Sequence, residues 1–407
     1  MGIKIMNGGF MTTIQDMGRY GYQETGMAVS GVMDTRSASL ANILVGNDEN
    51  EAVIEVTMMG PTMVFTADNL VAVTGGDLGA KVDGNPMPTY EAVLVRCGQT
   101  LSFSGLKSGA RAFIAFAGGL DVPVVMGSKS TNLKSKIGGL EGRKLAPGDE
   151  IGFCAPKKWL PNMPKRKLSV PDFSAKEHTL RVILGPQNDH FMQRGIDTFL
   201  NSTYTITNEY DRMGCRMEGN LIRHKNGGDI ITDGISFGAV QVPSHGNPIV
   251  MMADHQTTGG YTKIANVISV DLPILAQCMP GHKIRFQWVT VDAAQKLYRA
   301  EKKEFTELKS ILTVPDPEGE AAFYETEKAY EAVKAKAIAA ACVQAQASAE
   351  VVSTGAADNP TDEVQAVAMA AAIRENESHW SVQGKYRVTV NGQTFVVNLE
   401  KETESFR

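Results

Sequence analysis

Apolar residues in the first 155 positions come in short runs separated by glycine and Asn/Asp. The runs are Ala52–Val56, Thr62–Phe65, Leu70–Val73, Ala92–Val95, Leu101–Phe103 and Ala112–Ala117, punctuated by Gly75-Gly76-Asp77 and Asp83-Gly84-Asn85. Many short strands at regular spacing predict a barrel or a sandwich. One helix interrupts them. Leu40, Ile43 and Leu44 form its apolar side, Asp34 stands at its N-cap and Gly46-Asn47 stops it, which places it at Thr35–Leu44. Residues from about 178 to 290 repeat the β style. Asp83-Gly84-Asn85-Pro86 leads through a glycine turn to a strand ending at Phe103, and His245-Gly246-Asn247-Pro248 leads the same way to Phe286. Asp16-Met17-Gly18-Arg19 faintly echoes Asp211-Arg212-Met213-Gly214. These echoes point to duplicated β domains, although matches this short also arise by chance.

The pattern changes near residue 292. Leu297, Phe305, Leu308 and Leu312 share one face of Asp292–Leu312, which predicts an amphipathic helix. Gly319–Glu350 is rich in Ala and Glu/Lys, with Phe323, Tyr330 and Val333 as anchors, and predicts a helix or a helical hairpin. Val351–Asp362 reads as a linker and Asp362–Asn376 as a short helix. In KYRVTVNGQTFVVNLEKE, apolar residues alternate on both sides of Asn391-Gly392, the signature of a two-residue hairpin. Such a hairpin is marginal alone and needs another surface. Between the two β regions lies PKKWLPNMPKRKLSVP. Its four prolines and five Lys/Arg in sixteen residues read as an extended, solvated linker. The expected plan is two β domains at 1–155 and 178–291 joined by a 156–177 linker. A helical extension at 292–350, a linker with a short helix at 351–380 and a hairpin at 381–407 follow.

A length of 407 residues also favours two or three domains. The net charge of −5 argues against a nucleic-acid partner, which would want a basic face. MGIKIMNGGF has no apolar signal core, and no apolar run is long enough for a bilayer. Met6 stands where myristoylation wants a hydroxyl residue. Cys97, Cys154, Cys215, Cys278 and Cys342 are scattered without a CxxC pair, and the seven His show no HExxH spacing. Reduced thiols, a cytoplasmic setting and no metal are the expectations. Each cysteine reads first as a small buried apolar residue.

Chemistry concentrates in a few stretches. Met251–Asp271, MMADHQTTGGYTKIANVISVD, gathers an acid, an imidazole, amides, hydroxyls, a Tyr and a Lys around Gly259-Gly260. It reads as strand, polar glycine loop, strand, where the glycines allow positive φ and backbone N–H groups can line an anion site. An ordinary Gly-Gly hairpin accounts for the same residues. Gln15-Asp16-Met17-Gly18-Arg19 and Ser30–Asp34 offer an amide, two carboxylates and an Arg fork suited to a carboxylate or phosphate. Against this stand a cap role for Asp34 and a local Asp16–Arg19 ion pair. The loop Lys129–Arg143 could close over an anion or simply be a solvated basic surface. Asp211–Arg216, Gln241 and Asp254–Thr258 suggest an anion site with an acid or base beside it. No GxxxxGK[ST] loop occurs.

Taken together, GGFMTTIQDMGRYGYQETGMAVSGVMDTRSASLANILVGND, VVMGSKSTNLKSKIGGLEGR, DRMGCRMEG, GAVQVPSHGNPIVMMADHQTTGGYTKIANVISVDLPILAQ and PGHKIRF resemble the family of KipA, allophanate hydrolase subunit 2 and the C-type subunit of 5-oxoprolinase. The likeness runs from about residue 3 to 290. It implies a mainly β fold of two cyclophilin-like barrels, extended here by helices and a hairpin. It implies a cytoplasmic protein that works with two companions, a KipI-like one of B type and one of A type. Together the three would open 5-oxoproline to glutamate in an ATP-dependent reaction. One alternative is a carboxyltransferase component that takes carboxybiotin from another chain, and a second is a non-catalytic regulator of a KipI-like partner. No cofactor is assigned to this chain itself: ATP is used by the assembly, and carboxybiotin would be presented by another chain. The resemblance implies Asp254, Arg212 and Lys263 as catalytic positions. It implies Gln15, Asp16, Arg19, Asp34, Arg216, Gln241, Gln256, Thr257, Thr258, Gly259, Gly260 and Tyr261 as substrate-binding ones. Thr262 departs from the usual Pro. The terminal hairpin resembles the opening of a biotin carrier domain, without the Met-Lys-Met acceptor.

Overall fold

The computed structural model describes residues 1–347, 384–390 and 393–399. The expected linker and short helix between 351 and 380, and the turn Asn391-Gly392, lie outside these residues. Residues 1–317 form one compact unit and 318–407 another.

The fold is mainly β, as the apolar runs predict. A seven-stranded sheet runs, in spatial order, Leu120–Asp121, Glu150–Phe153, Gly2–Asn7, Thr62–Phe65, Thr100–Phe103, Ala80–Val82, Asn85–Pro86. A five-stranded sheet runs Met11–Gln15, Val53–Thr57, Ser108–Phe116, Asn69–Asp77, Ala92–Val95. Alternate residues of both sheets, among them Ile3, Ile5, Ile14, Ile54, Val73, Ile114 and Phe116, share one core. The second β region makes an eight-stranded sheet. Pairing of its first strand, Glu177–Leu184, with Thr258–Val267 closes seven of these strands into a ring, and Asp229–Gly234 is added at the edge. Leu180, Val182, Phe199, Tyr204, Val240, Ile264 and Phe286 fill it.

Helix α1, Thr35–Leu44, begins as its cap predicts: Asp34 Oδ1 accepts from Ser37 N–H at 2.8 Å. Asp34 is buried, and burial pushes its carboxyl above the ordinary range. A carboxyl that titrates higher in the folded chain than in the unfolded one contributes stability that is full below the unfolded pKa. That stability is lost as pH rises through the folded value. Asn caps a helix about as well as Asp. Asp34→Asn keeps the cap but sets its amide N–H against Gln277 Nε2, so it is expected to fold with a lower melting temperature and to flatten the fall in that temperature as pH rises from about 4 toward neutrality. An unchanged pH profile would show that ionising this buried carboxyl carries no cost.

Helix α2 is Gln193–Asn201 and α3 is Leu272–Ala276. Helix α4, Val291–Leu312, lies within one residue of its expected bounds and is firmly docked. Phe305 and Leu312 pack on Leu40, Ile43 and Tyr90, and Arg36 pairs with Glu301 and Glu304. Helix α5, Pro317–Ala347, is a single helix rather than a helical hairpin. The terminal hairpin pairs Tyr386 with Val397 and Val388 with Phe395.

The proline-rich stretch corrects its sequence reading. Arg166 is buried, and its guanidinium donates to Pro161 O, Ile43 O, Leu44 O and Leu312 O. It caps the carboxyl ends of both α1 and α4, where a cation meets the partial negative charge of the last carbonyls. A free, solvated linker would leave those carbonyls without this cap.

Candidate functional site

Several buried side chains join the two β regions. Gln277, just past α3, accepts from Ala110 N–H and Arg111 N–H at 3.0 Å each. It donates to Asp34 Oδ2 at 2.8 Å and Arg111 O at 3.0 Å. The Arg111 guanidinium lies over the Tyr210 ring and donates to Ala276 O. Arg212 donates to Glu55 Oε1 from the five-stranded sheet, to Gly31 O, and to both oxygens of Asp254 at 2.8 and 3.2 Å. Glu55 also accepts from Met33 N–H. Arg212 stays charged despite burial, held above its ordinary pKa by Asp254 and Glu55.

Asp16 and Arg19 organise the neighbouring loop. Asp16 accepts from Gly18 N–H, Lys129 N–H and the hydroxyls of Ser128 and Ser130. Asp211 makes the same two-residue turn with Met213 N–H, which gives the sequence echo a structural meaning. Arg19 is fully buried and donates to Val125 O and Ser130 O. It braces protein carbonyls through these two nitrogens rather than presenting an open fork, while Asp16 and Asp254 supply nearby negative charge. Gln15 is buried and donates to Thr13 Oγ1 and Thr131 O. The basic loop is tied down as well. Lys129 pairs with Glu51 at 2.6 Å, and Arg143 pairs with Asp149 at 2.8 Å.

The open part of the site is a cleft of about 340 Å³ lined by Gln23, Gly234, Ser236, Thr257, Lys263 and Asn266, with Pro186, Ile235, Ala239 and Ala265 as its apolar wall. Gln23 comes from the first β region, the rest from the second. Lys263 is buried to its tip, where Nζ donates to Asp233 Oδ2 at 2.8 Å. The Lys263 ammonium, with help from Gln187 and the Gly234 N–H, lowers the exposed Asp233 carboxyl to about 2. Lys263 faces Gln241 across the ladder, beside an irregular step at Val240–Gln241. Val240 and Val242 turn into the core; Gln241 is buried too, and its Nε2 has no hydrogen-bond partner among the described residues.

The glycine pair differs from its expected role. Gly259 and Gly260 lie inside strand Thr258–Val267, not in a loop, and neither has positive φ. Gly259 is opposite Asp233. A Cβ there would sit 2.6 Å from Ile235 Cδ1, 3.0 Å from Gln241 Nε2 and 3.4 Å from Gln256 Nε2. Close approach, not turning, requires glycine here. The polar bend lies earlier, around Asp254–Thr257, and the β-branched run after Val267 becomes a 3-10 turn at Ser269–Asp271 rather than a strand.

The structure therefore brings Asp16, Arg19, Arg212 and Asp254 together at the seam. It places Thr257 and Lys263 in the cleft, while Gln241, opposite Lys263, and Gln256 lie beside Gly259 rather than in the cleft lining. Thr258 and Tyr261 are exposed along the strand, and Arg216 is exposed and pairs with Glu209. Sequence reasoning misses Glu55, Gln277, Gln23 and Asp233. Glu55, Gln277 and Asp233 are common polar residues whose partners lie far away in sequence, and Gln23 meets the cleft only through the fold.

Residues 25–288 match the family described as carboxyltransferase domain, subdomain A and B, and the chain belongs to that family. It is 36% identical over 310 residues to the C-type subunit of 5-oxoprolinase from Escherichia coli (strain K12), an alignment covering 75% of this chain and 97% of that one. It is 33% identical over 318 residues to urea amidolyase of Saccharomyces cerevisiae, spanning 72% of this chain but only 17% of the longer protein. The crystal structure of the K. lactis urea amidolyase superposes with a TM-score of 0.70 at 27% identity, covering 75% of this chain and 20% of that one. Among the described residues no helix is long and apolar enough to cross a membrane.

Proposed function

We propose that this chain is the C-type subunit of a 5-oxoprolinase assembly, a hydrolase acting on a cyclic amide. The observation that carries the reading is its likeness to the bacterial C-type 5-oxoprolinase subunit across nearly that protein's whole length. The cleft supports it chemically. 5-Oxoproline carries a carboxylate and a lactam carbonyl. Lys263 and Gln241 Nε2, unpaired among the described residues, are a cation and a neutral donor suited to one of each. In the proposed reaction water opens the lactam C–N bond to give glutamate while ATP is hydrolysed to ADP and phosphate. The chain's part is to hold the substrate and to donate to the oxygen that gains charge. ATP is assigned to the assembly, since the sequence has no Walker-type loop. A KipI-like, B-type protein and a third, A-type protein complete it, in the cytoplasm.

The likeness to urea amidolyase favours one second reading, a carboxyltransferase component fed by carboxybiotin from another chain. The same two donors would suit its carboxylate. The test is ATP-dependent glutamate release from 5-oxoproline by the chain with both partners, with and without avidin. Glutamate release indifferent to avidin is expected. Turnover of urea instead, abolished by avidin, would overturn the reading in favour of carboxyl transfer. A tight complex with no turnover of either substrate would leave a regulator.

A further inference from the structure

We propose that His178, Cys278 and His282 form a binding site for a transition metal of the zinc class, separate from the cleft. Cys278 Sγ and one ring nitrogen from each histidine lie within 4.8 Å of one another. None of the three lines the cleft.

The fold builds this meeting from distant parts. Cys278 ends the turn after α3, where its N–H donates to Leu275 O at 3.0 Å. Gly281, at φ 89°, reverses the chain, and its N–H donates to Ile206 O at 2.8 Å. His282 then enters strand Lys283–Trp288, which runs parallel to Glu177–Leu184 and sets His178 opposite Ile284. The His178 and His282 rings stack with centroids 5.9 Å apart. Cys278 and His282 are buried, and His178 is half-buried.

The second observation is His282 Nδ1. It is buried with no hydrogen-bond partner among the described residues. A buried nitrogen left unpaired is costly, so it asks for a ligand. The other two groups hold only replaceable contacts, Cys278 S–H to Ile274 O at 3.3 Å and His178 Nε2 beside Ala175 O at 3.0 Å. Bond lengths of about 2.0–2.1 Å to nitrogen and about 2.3 Å to sulfur set donor separations near 3.5 Å in a tetrahedron. The three donors must close by roughly 1 Å, within the reach of side-chain rotation.

One thiolate and two imidazoles suit zinc, cobalt or copper and not magnesium or calcium. The fourth position falls to water. His178 also lines a surface groove of about 200 Å³ with Glu177, Thr179, Thr203, Lys283 and Arg285, which gives a route in. The groove's cations are engaged, Lys283 with Glu177 and Arg285 with Thr203, while the Lys176 charge is felt at His282. On binding, the Cys278 thiol gives its proton to solvent and its sulfur lone pair to the metal. The residue before Cys278 is Gln277, which bridges the two β regions. Metal here stiffens that bridge.

The test titrates the untagged full chain, stripped by chelator, with Co²⁺. One equivalent is expected to give tetrahedral visible bands and a near-ultraviolet thiolate charge-transfer band, both bleached by Zn²⁺, with a rise in melting temperature. Cys278→Ser should abolish the charge-transfer band, and His282→Gln should weaken binding at least tenfold. Cys97→Ser, on an exposed thiol, should change neither. If Cys278→Ser fails to fold, His282→Gln decides alone. A missing charge-transfer band in the native chain, or undiminished Co²⁺ affinity in His282→Gln, overturns the proposal.

Discussion

Lys263→Met is expected to lower glutamate formation by the assembled enzyme about 100- to 1000-fold, the usual loss when one preorganised donor to a developing oxyanion is removed. The substitution keeps the apolar stem that lies buried along the strand and deletes only the ammonium. Its partner Asp233 is exposed, so that carboxylate returns to water without penalty. The variant should therefore fold and enter the complex, with a melting temperature within a few degrees of the native chain. The carboxylate supplies the matching control. Asp233 is held ionised down to about pH 2 by Lys263, so it offsets the cleft's positive charge at every working pH. Asp233→Asn leaves Lys263 uncompensated and is expected to lower KM for the anionic substrate. Equal kcat in native and Lys263→Met assemblies would remove Lys263 from the chemistry, and a change in KM alone would leave it a binding group.

The local features of the fold were legible. Asp34 and the Leu40, Ile43, Leu44 stripe place α1 because a cap and a helical face are written within ten residues. Strands Thr62–Phe65 and Ala92–Val95 follow from short apolar runs between turns. Misreadings arise where one residue type serves two physical ends. Gly259-Gly260 looks like a turn, yet it is glycine because Ile235 and Gln241 leave no room for a Cβ. Arg166 and Arg19 look like surface or ligand charges, yet both cap backbone carbonyls in the interior. Closure of the second sheet pairs Val182 with Val267, and Glu55 meets Arg212 from 157 residues away; a single sequence holds no signal for either contact.

Arg212→Ala is expected to be the most damaging substitution for stability. Arg212 satisfies Glu55 and Asp254 at once and also donates to Gly31 O. Glu55 is fully buried, and no other described ion pair comes nearer to it than Arg111 at 4.0 Å. Removing one member of a buried pair costs about 3–5 kcal/mol, since the remaining charge keeps its desolvation penalty. Asp254 adds less because it is only partly buried. The double change Arg212→Met with Glu55→Gln distinguishes a structural brace from a reacting group. It removes the stranded charge and should recover much of the lost stability, while Asp254 loses its positioning partner. If the stabilised double variant assembles with its partners yet turns over 5-oxoproline poorly, Arg212 acts through the placement of Asp254 at the seam. If turnover returns along with stability, the buried network serves only to join the two β regions.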